Sequence, residues 1–124
     1  MRFVYNRRVM KDLYKGDYMN RKETYKIYYN IGSIYMQLGG KVESAYKNMI
    51  QALQAANLSY GRNSVESSAA YLAIGKIYKG ENDMCNALNH FKVAEEILSN
   101  KEDSEMFREV EKEIKGIERM HIDK

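Results

Sequence analysis

The sequence predicts an all-α protein made of antiparallel helical hairpins stacked side by side. Three observations carry that expectation. One spaced pattern occurs twice, as Ile31-Gly32, Tyr35, Gly39, Ala45, Met49, Ala52 and again as Ile74-Gly75, Tyr78, Asn82, Ala87, Phe91, Ala94. The 124 residues include no Pro, so nothing of that kind interrupts a long helix. Apolar residues recur at spacings of three and four, and no stretch shows the strict alternation that marks a half-buried strand. Within each copy of the pattern, Gly-x2-Tyr and Ala-x3-Met/Phe-x2-Ala keep identical spacing. From Tyr to the first Ala the distance is ten residues in one copy and nine in the other, which predicts a one-residue insertion at the Gly39-Gly40 turn. Small residues let two helices approach, large apolar ones fill the gap, and polar ones punctuate the turn.

Six helices are expected in order, within one domain spanning residues 1–124. Its parts are an N-terminal helical segment (1–19), a first hairpin (20–58), a second (64–98) and a closing helix (102–120). The first helix covers 4–15, with Val9, Met10, Leu13 and Tyr14 on one face, and ends at Gly16. The next, 20–38, starts after Asn20, a good N-cap, with Glu23 three residues on as a capping-box partner. Tyr28, Ile31, Tyr35 and Leu38 form its apolar stripe, and Gly39-Gly40 stops it. The third, 42–58, carries Ala45, Met49, Ala52, Leu53 and Ala56. Ser64 caps the fourth, 65–79, which presents Tyr71, Ile74 and Tyr78. After Gly80-Glu81-Asn82-Asp83, the fifth runs 84–98 with Ala87, Leu88, Phe91, Ala94 and Ile97 inward. A cap at Asp103 or Ser104 opens the sixth, 105–120, whose stripe is Phe107, Val110, Ile114 and Ile117. A stacked array leaves an apolar face at its end, and a helix with one apolar stripe and a polar outside closes it.

The repeated pattern resembles that of the tetratricopeptide repeat family, whose first helix carries a large residue, Leu-Gly and Tyr and whose second carries Ala, an aromatic and Ala. Tyr28 and Tyr71 take the opening large position, and Ile31-Gly32 and Ile74-Gly75 the Leu-Gly pair. The resemblance covers two copies over residues 25–98, with three departures. The family's terminating Pro is missing from both copies, and Met49 replaces the aromatic in the first. The copies lie 43 residues apart, from Gly32 to Gly75, against ~34 in the common form. That longer period, with Tyr60-Gly61-Arg62-Asn63-Ser64 and Glu66 ahead of the second hairpin, is similar to the extended repeats of kinesin light chains.

The resemblance implies a short right-handed superhelix in which the first helix of each repeat lines a concave groove. It places Lys26, Tyr29, Ser33, Met36 and Gln37 there from the first repeat, and Ala69, Leu72, Lys76 and Lys79 from the second. A partly apolar groove with three ammonium groups suits an extended or helical segment of a protein partner that carries acidic residues. It does not suit the C-terminal carboxylates of chaperones. The positions where relatives use Lys and Asn for that clamp hold Tyr29 and Ser33, and the matching Asn position of the second repeat holds Ala73.

Composition narrows the functional classes further. The apolar fraction of 44% is ordinary for a globular chain. No apolar run approaches the ~18 residues of a membrane span, and Met1–Arg8 lacks the apolar stretch of a signal peptide. A lone cysteine, Cys85, rules out an internal disulfide and fits a reducing, cytoplasmic compartment. Asn57-Leu58-Ser59 matches a glycosylation sequon but reads as a helix end. Net charge is +3, with eight Lys/Arg against three Asp/Glu in residues 1–28 and eight Asp/Glu against six Lys/Arg in 99–124. The basic residues of the first quarter are interspersed with Tyr and Asn rather than gathered in a stripe, so nucleic acid is not the expected partner. His90 and His121 are the only histidines; neither stands at ligand spacing from Cys85 or the other, and His90 is expected to face solvent. No Gly-rich phosphate loop follows a strand, and no cofactor is expected.

The function expected is therefore a non-catalytic protein–protein interaction module, an adaptor or assembly subunit. Two repeats fall short of the usual minimum of about three, so flanking helices or another subunit of a larger complex must supply the missing layer. Two other readings share the pattern. Ile74-Gly75-Lys76-Ile77-Tyr78-Lys79-Gly80 followed by an Ala-rich helix is similar to the helical end of MYND/SET lysine methyltransferases, although no catalytic SET pattern is present. Bacterial peptide-sensing regulators have similar extended helical repeats, but no helix-turn-helix is recognisable in residues 1–20. A natural start at Met1 would favour the adaptor, a longer reading frame either of the others.

Overall fold

The computed structural model describes residues 21–101 and 104–122. Among them are five helices and no strand: α1 (Arg21–Leu38), α2 (Val42–Ser59), α3 (Val65–Gly80), α4 (Met84–Leu98) and α5 (Ser104–Ile122). The all-α hairpin architecture is the one expected, and each of these helices lies within two residues of its expected bounds. The expected helix at 4–15 and the caps at Asn20 and Asp103 fall outside the described residues.

Local chemistry explains where the helices start and stop. Both hairpin turns occupy three residues, 39–41 and 81–83, and the extra residue of the first copy lengthens the run from Tyr35 to Leu38 relative to that from Tyr78 to Gly80. Gly40 (φ 68°) and Asn82 (φ 62°) occupy the left-handed region at the same place in the two turns. Asn is the non-glycine residue that tolerates this conformation best, which is why Asn82 can stand where the first copy has Gly. Asp83 then caps α4 by accepting from the Asn86 backbone N–H at 3.2 Å and from its side-chain amide at 2.7 Å. These two hydrogen bonds hold the Asp83 carboxyl below the usual carboxylate range.

Ser64 caps α3 as expected, its Oγ accepting from the Ser67 N–H at 3.0 Å. The fully buried Ser67 ties the inter-hairpin connection together. Its Oγ lies 2.6 Å from Asn57 Oδ1 and 2.9 Å from the Gly61 carbonyl and accepts from the Ser64 hydroxyl. One O–H can donate to only one of those two acceptors at a time, and the shorter contact favours Asn57. Asn57 thus ends α2 structurally, in keeping with the expectation for the Asn57-Leu58-Ser59 segment.

Close approach within each hairpin comes from a glycine on the first helix facing a large residue on the second. A Cβ built on Gly75 would stand 2.5 Å from the Phe91 ring, and one on Gly32 would stand 3.0 Å from the Met49 side chain. Phe91 and Met49 are both fully buried. Between hairpins, Ile74 and Ile77 of α3 pack with Ala45 and Met49 of α2, flanked by Tyr46, Ile50 and Leu53. At the far end of the first hairpin Tyr25 is buried with Ala52, Ala55 and Ala56, its ring 5.6 Å from Tyr29 and 5.9 Å from Tyr60.

Helix α5 continues the same register. Ile31, Ile74 and Ile117 are 43 residues apart in turn, so α5 stands in sequence where a third first helix would stand. Its Val110, Ile114 and Ile117 pack onto Ala87, Phe91, Ala94 and Leu98 of α4 together with Leu72 of α3. The expected closing helix is therefore a first helix docked on the second hairpin as α3 docks on the first. Burial of three such branched side chains contributes on the order of 1.5–3 kcal/mol each. His90 differs from expectation: it is half-buried, with ring centroids 5.1 Å from Tyr78 and 6.1 Å from Tyr71, and its Nδ1 donates to the Asn86 carbonyl at 2.7 Å.

Two outcomes test this packing. Gly75→Ala should destabilise the protein by about 1–3 kcal/mol in denaturant unfolding, because a rigid ring must move. Gly32→Ala meets a flexible Met49 chain and gains helix propensity of ~1 kcal/mol, so its net change should be much smaller, and equal effects would argue against the glycine contact as the determinant. Deleting residues 102–124 should uncover Phe91 and Leu98 and cause self-association in sedimentation; a truncated chain that stays monomeric and equally stable would show that α5 is not a closing element.

Candidate protein-binding face

The first helices α1, α3 and α5 lie next to one another on one side, so their shared face is built from alternate turns of three chain segments. On α1, Lys26 and Gln37 are exposed, while Tyr29, Ser33 and Met36 are half-buried. Tyr29 and Met36 pack against the cluster that holds Ala73, Ile74 and Ile77, so they spend part of their surface joining α1 to α3. On α3 the expected groove residues divide. Ala69 and Leu72 are 7% and 6% exposed, which corrects the expectation that they line an open groove. The cause is α5: Val110, Ile114 and Ile117 share a core with Leu72, so that position closes a helix interface instead of meeting solvent.

Lys76 and Lys79 are partly exposed but engaged. Lys76 Nζ pairs with Glu109 and Lys79 Nζ with Glu113 at 2.7 Å, both carboxylates lying on α5. Tyr29 feels the same charges. Burial raises its pKa above the ordinary value, Lys76 opposes that and Glu109 adds to it. Tyr29, Lys76 and Glu109 therefore form a line of interaction from α1 through α3 to α5. The half of the groove next to the hairpin turns is a cleft of about 290 Å³ whose walls include Tyr35, Met36, Val42, Lys76 and Ile77.

A larger cleft, about 650 Å³, follows α5. Lys79, Arg108, Lys112, Lys115 and Arg119 bring five cations to it against the carboxylates of Glu109, Glu111 and Glu113. Sequence reasoning missed its α5 wall by treating the last helix only as a lid. The signal was available: Ala69, Leu72 and Lys76 shifted by 43 residues give Lys112, Lys115 and Arg119. Among the described residues no three His, Cys, Asp or Glu side chains stand where they could hold a metal ion. No described helix is long and apolar enough to cross a membrane.

The hairpin geometry, the paired glycines and the shared face agree with comparison against known families: the tetratricopeptide repeat profile matches residues 23–100. This chain belongs to the tetratricopeptide repeat family. Comparisons with curated proteins and with solved structures gave no match. Tetratricopeptide repeats generally mediate protein–protein interaction and are typically without chemistry of their own, and the match spans both hairpins from α1 to just past α4.

The tyrosines give this repeat domain a pH signature. Burial, with neighbouring Tyr29, Glu66 and Tyr60 adding, pushes Tyr25 far above its ordinary value of 10.0. Tyr78 is raised chiefly by its hydrogen bond to the Tyr46 hydroxyl at 3.3 Å, and Tyr29 chiefly by burial. A phenol whose folded pKa exceeds its unfolded value contributes stability that is fully present below the unfolded pKa. That stability is lost as pH rises through the folded value. Stability should hold up to about pH 10 and fall above it, with buried tyrosines ionising after the exposed ones in ultraviolet titration. A single titration step with unchanged alkaline stability would contradict the burial of Tyr25.

Proposed function

We propose that the face shared by α1, α3 and α5 binds a segment of a protein partner that carries acidic residues, and that the chain acts as an adaptor or assembly subunit. The observation that supports this most directly is the row Lys79, Lys112, Lys115 and Arg119 along the larger cleft, continued on α1 by Lys26 and the apolar surface of Tyr29 and Met36. Ser33 and Gln37 offer hydrogen bonds between the apolar contacts, and Lys76 sits at the junction of the two clefts. Lys76 and Lys79 engage an incoming carboxylate by exchanging it for Glu109 and Glu113. Ala69 and Leu72 act beneath the face, holding α5 in place.

The 43-residue period places the repeats with the extended type similar to those of kinesin light chains. The lone, exposed Cys85 fits a reducing, cytoplasmic setting. Neither a methyltransferase lobe nor a peptide-sensing regulator is favoured by any contact of the face.

Partners captured from the native cell and identified by mass spectrometry provide the test. Lys112→Glu with Lys115→Glu should keep the helical content, since both side chains are exposed, and weaken the captured partner's binding about tenfold or more at low salt. The difference from wild type should shrink as salt rises, because surface charges are screened. A partner that binds the double variant as tightly as wild type at every salt concentration would move the interface elsewhere.

A further inference from the structure

We propose that residues 3–16 of this chain form a helix that packs on an exposed apolar stripe of α1, as α2 packs on α3. The stripe is Ile27, Ile31, Ile34 and Leu38, exposed by 55%, 37%, 56% and 67%. Its first three members correspond, 43 residues on, to Ala70, Ile74 and Ile77, which are 0%, 0% and 8% exposed. The same helix face is thus buried in the second hairpin and open in the first. What covers it in the second hairpin is α2, with Tyr46, Ile50 and Leu53 packed against Ile74 and Ile77 and with Asn57 bonded to Ser67.

The register that relates the hairpins also names the occupant. Shifted back by 43 residues, Tyr46, Ile50, Leu53 and Asn57 become Phe3, Arg7, Met10 and Tyr14. Three of those four are large apolar or aromatic residues at the spacing of one helical face, and the aliphatic stem of Arg7 can lie along the stripe with its guanidinium in water. Residues 17–20 then match 60–63, a connection long enough in the structure to link α2 to α3. Twelve residues of helix span about 18 Å, which matches the run from Ile27 to Leu38.

A second copy of the chain fits the stripe less well. Four side chains at these exposures leave on the order of 400 Å² to bury, about half of the ~800 Å² per partner in a standard stable interface. A tethered segment needs no such area, since a short linker holds it at millimolar effective concentration.

Hydrogen exchange on the full chain tests the proposal. Amides of residues 5–16 should exchange roughly tenfold or more slowly than unstructured peptide. Ile31→Asp with Ile34→Asp should abolish that protection while α3, α4 and α5 keep theirs. Residues 5–16 exchanging at unstructured rates in the wild type would overturn the proposal, and so would protection that survives the double variant. Sedimentation separates the remaining occupant: a wild-type dimer that the double variant converts to monomer, with residues 5–16 unprotected throughout, would assign the stripe to a second copy.

Discussion

The contact between Gly75 and the Phe91 ring sets the geometry on which the second half of the molecule depends. With no side chain on Gly75, the ring enters the space between α3 and α4 and is fully buried there. The same ring belongs to the cluster that receives Val110, Ile114 and Ile117 of α5. Met49 plays both parts in the first hairpin, filling the gap against Gly32 and packing with Ile74 and Ile77 of the next. One central residue on each second helix therefore fixes the spacing inside its hairpin and forms the seat for the following first helix. Stability of such an array is a chain of nearest-neighbour terms, and these two side chains join the terms. Removing a buried aromatic of this kind costs about 3–5 kcal/mol, a large fraction of what a small domain has.

Stacking of this sort leaves the face of the first helices with what packing does not use, and here that is mostly charge. The pairs Lys76–Glu109 and Lys79–Glu113 bridge α3 and α5 while remaining partly in water, with side-chain exposures of 36% and 46% for the first and 40% and 20% for the second. Pairs so exposed contribute on the order of 0–1 kcal/mol to stability. A partner carboxylate can replace either glutamate at little cost to the fold, which makes the lysines available for recognition even though they are engaged. Tyr29 differs, because burial ties it to the α1–α3 contact and its loss would disturb packing as well as binding.

Most of the fold was legible from spacing because each helix carries its own pattern of small and large residues. Gly32, Gly75, Met49 and Phe91 marked the close approaches, and Ser64 marked a helix start. Less of the face could be read. Ala69 and Leu72 look like surface positions on an isolated hairpin and become interior only when a helix more than thirty residues later docks on them. The pairing of Lys76 with Glu109 spans 33 positions of sequence and has no local signature. His90 was misjudged for the same reason: its neighbours Tyr71 and Tyr78 come from the other helix of its hairpin. Local periodicity specifies which side of a helix is apolar, whereas the partner of each remaining side chain is set by long-range packing.

The register itself distinguishes the role of the glycine from that of the isoleucine before it. Ile31, Ile74 and Ile117 recur through all three first helices, but the residues that follow are Gly32, Gly75 and Glu118. Ile74 and Ile117 are buried against the second helix of the preceding hairpin, a contact that every docked first helix makes. Glycine is required by the other contact, the approach of a first helix to its own second helix. Among the described residues α5 has no such second helix, and Glu118 is exposed. The pair therefore encodes two separable interfaces, isoleucine for docking onto what comes before and glycine for closing onto what comes after. A first helix that keeps the isoleucine and loses the glycine is one that docks without forming a hairpin of its own.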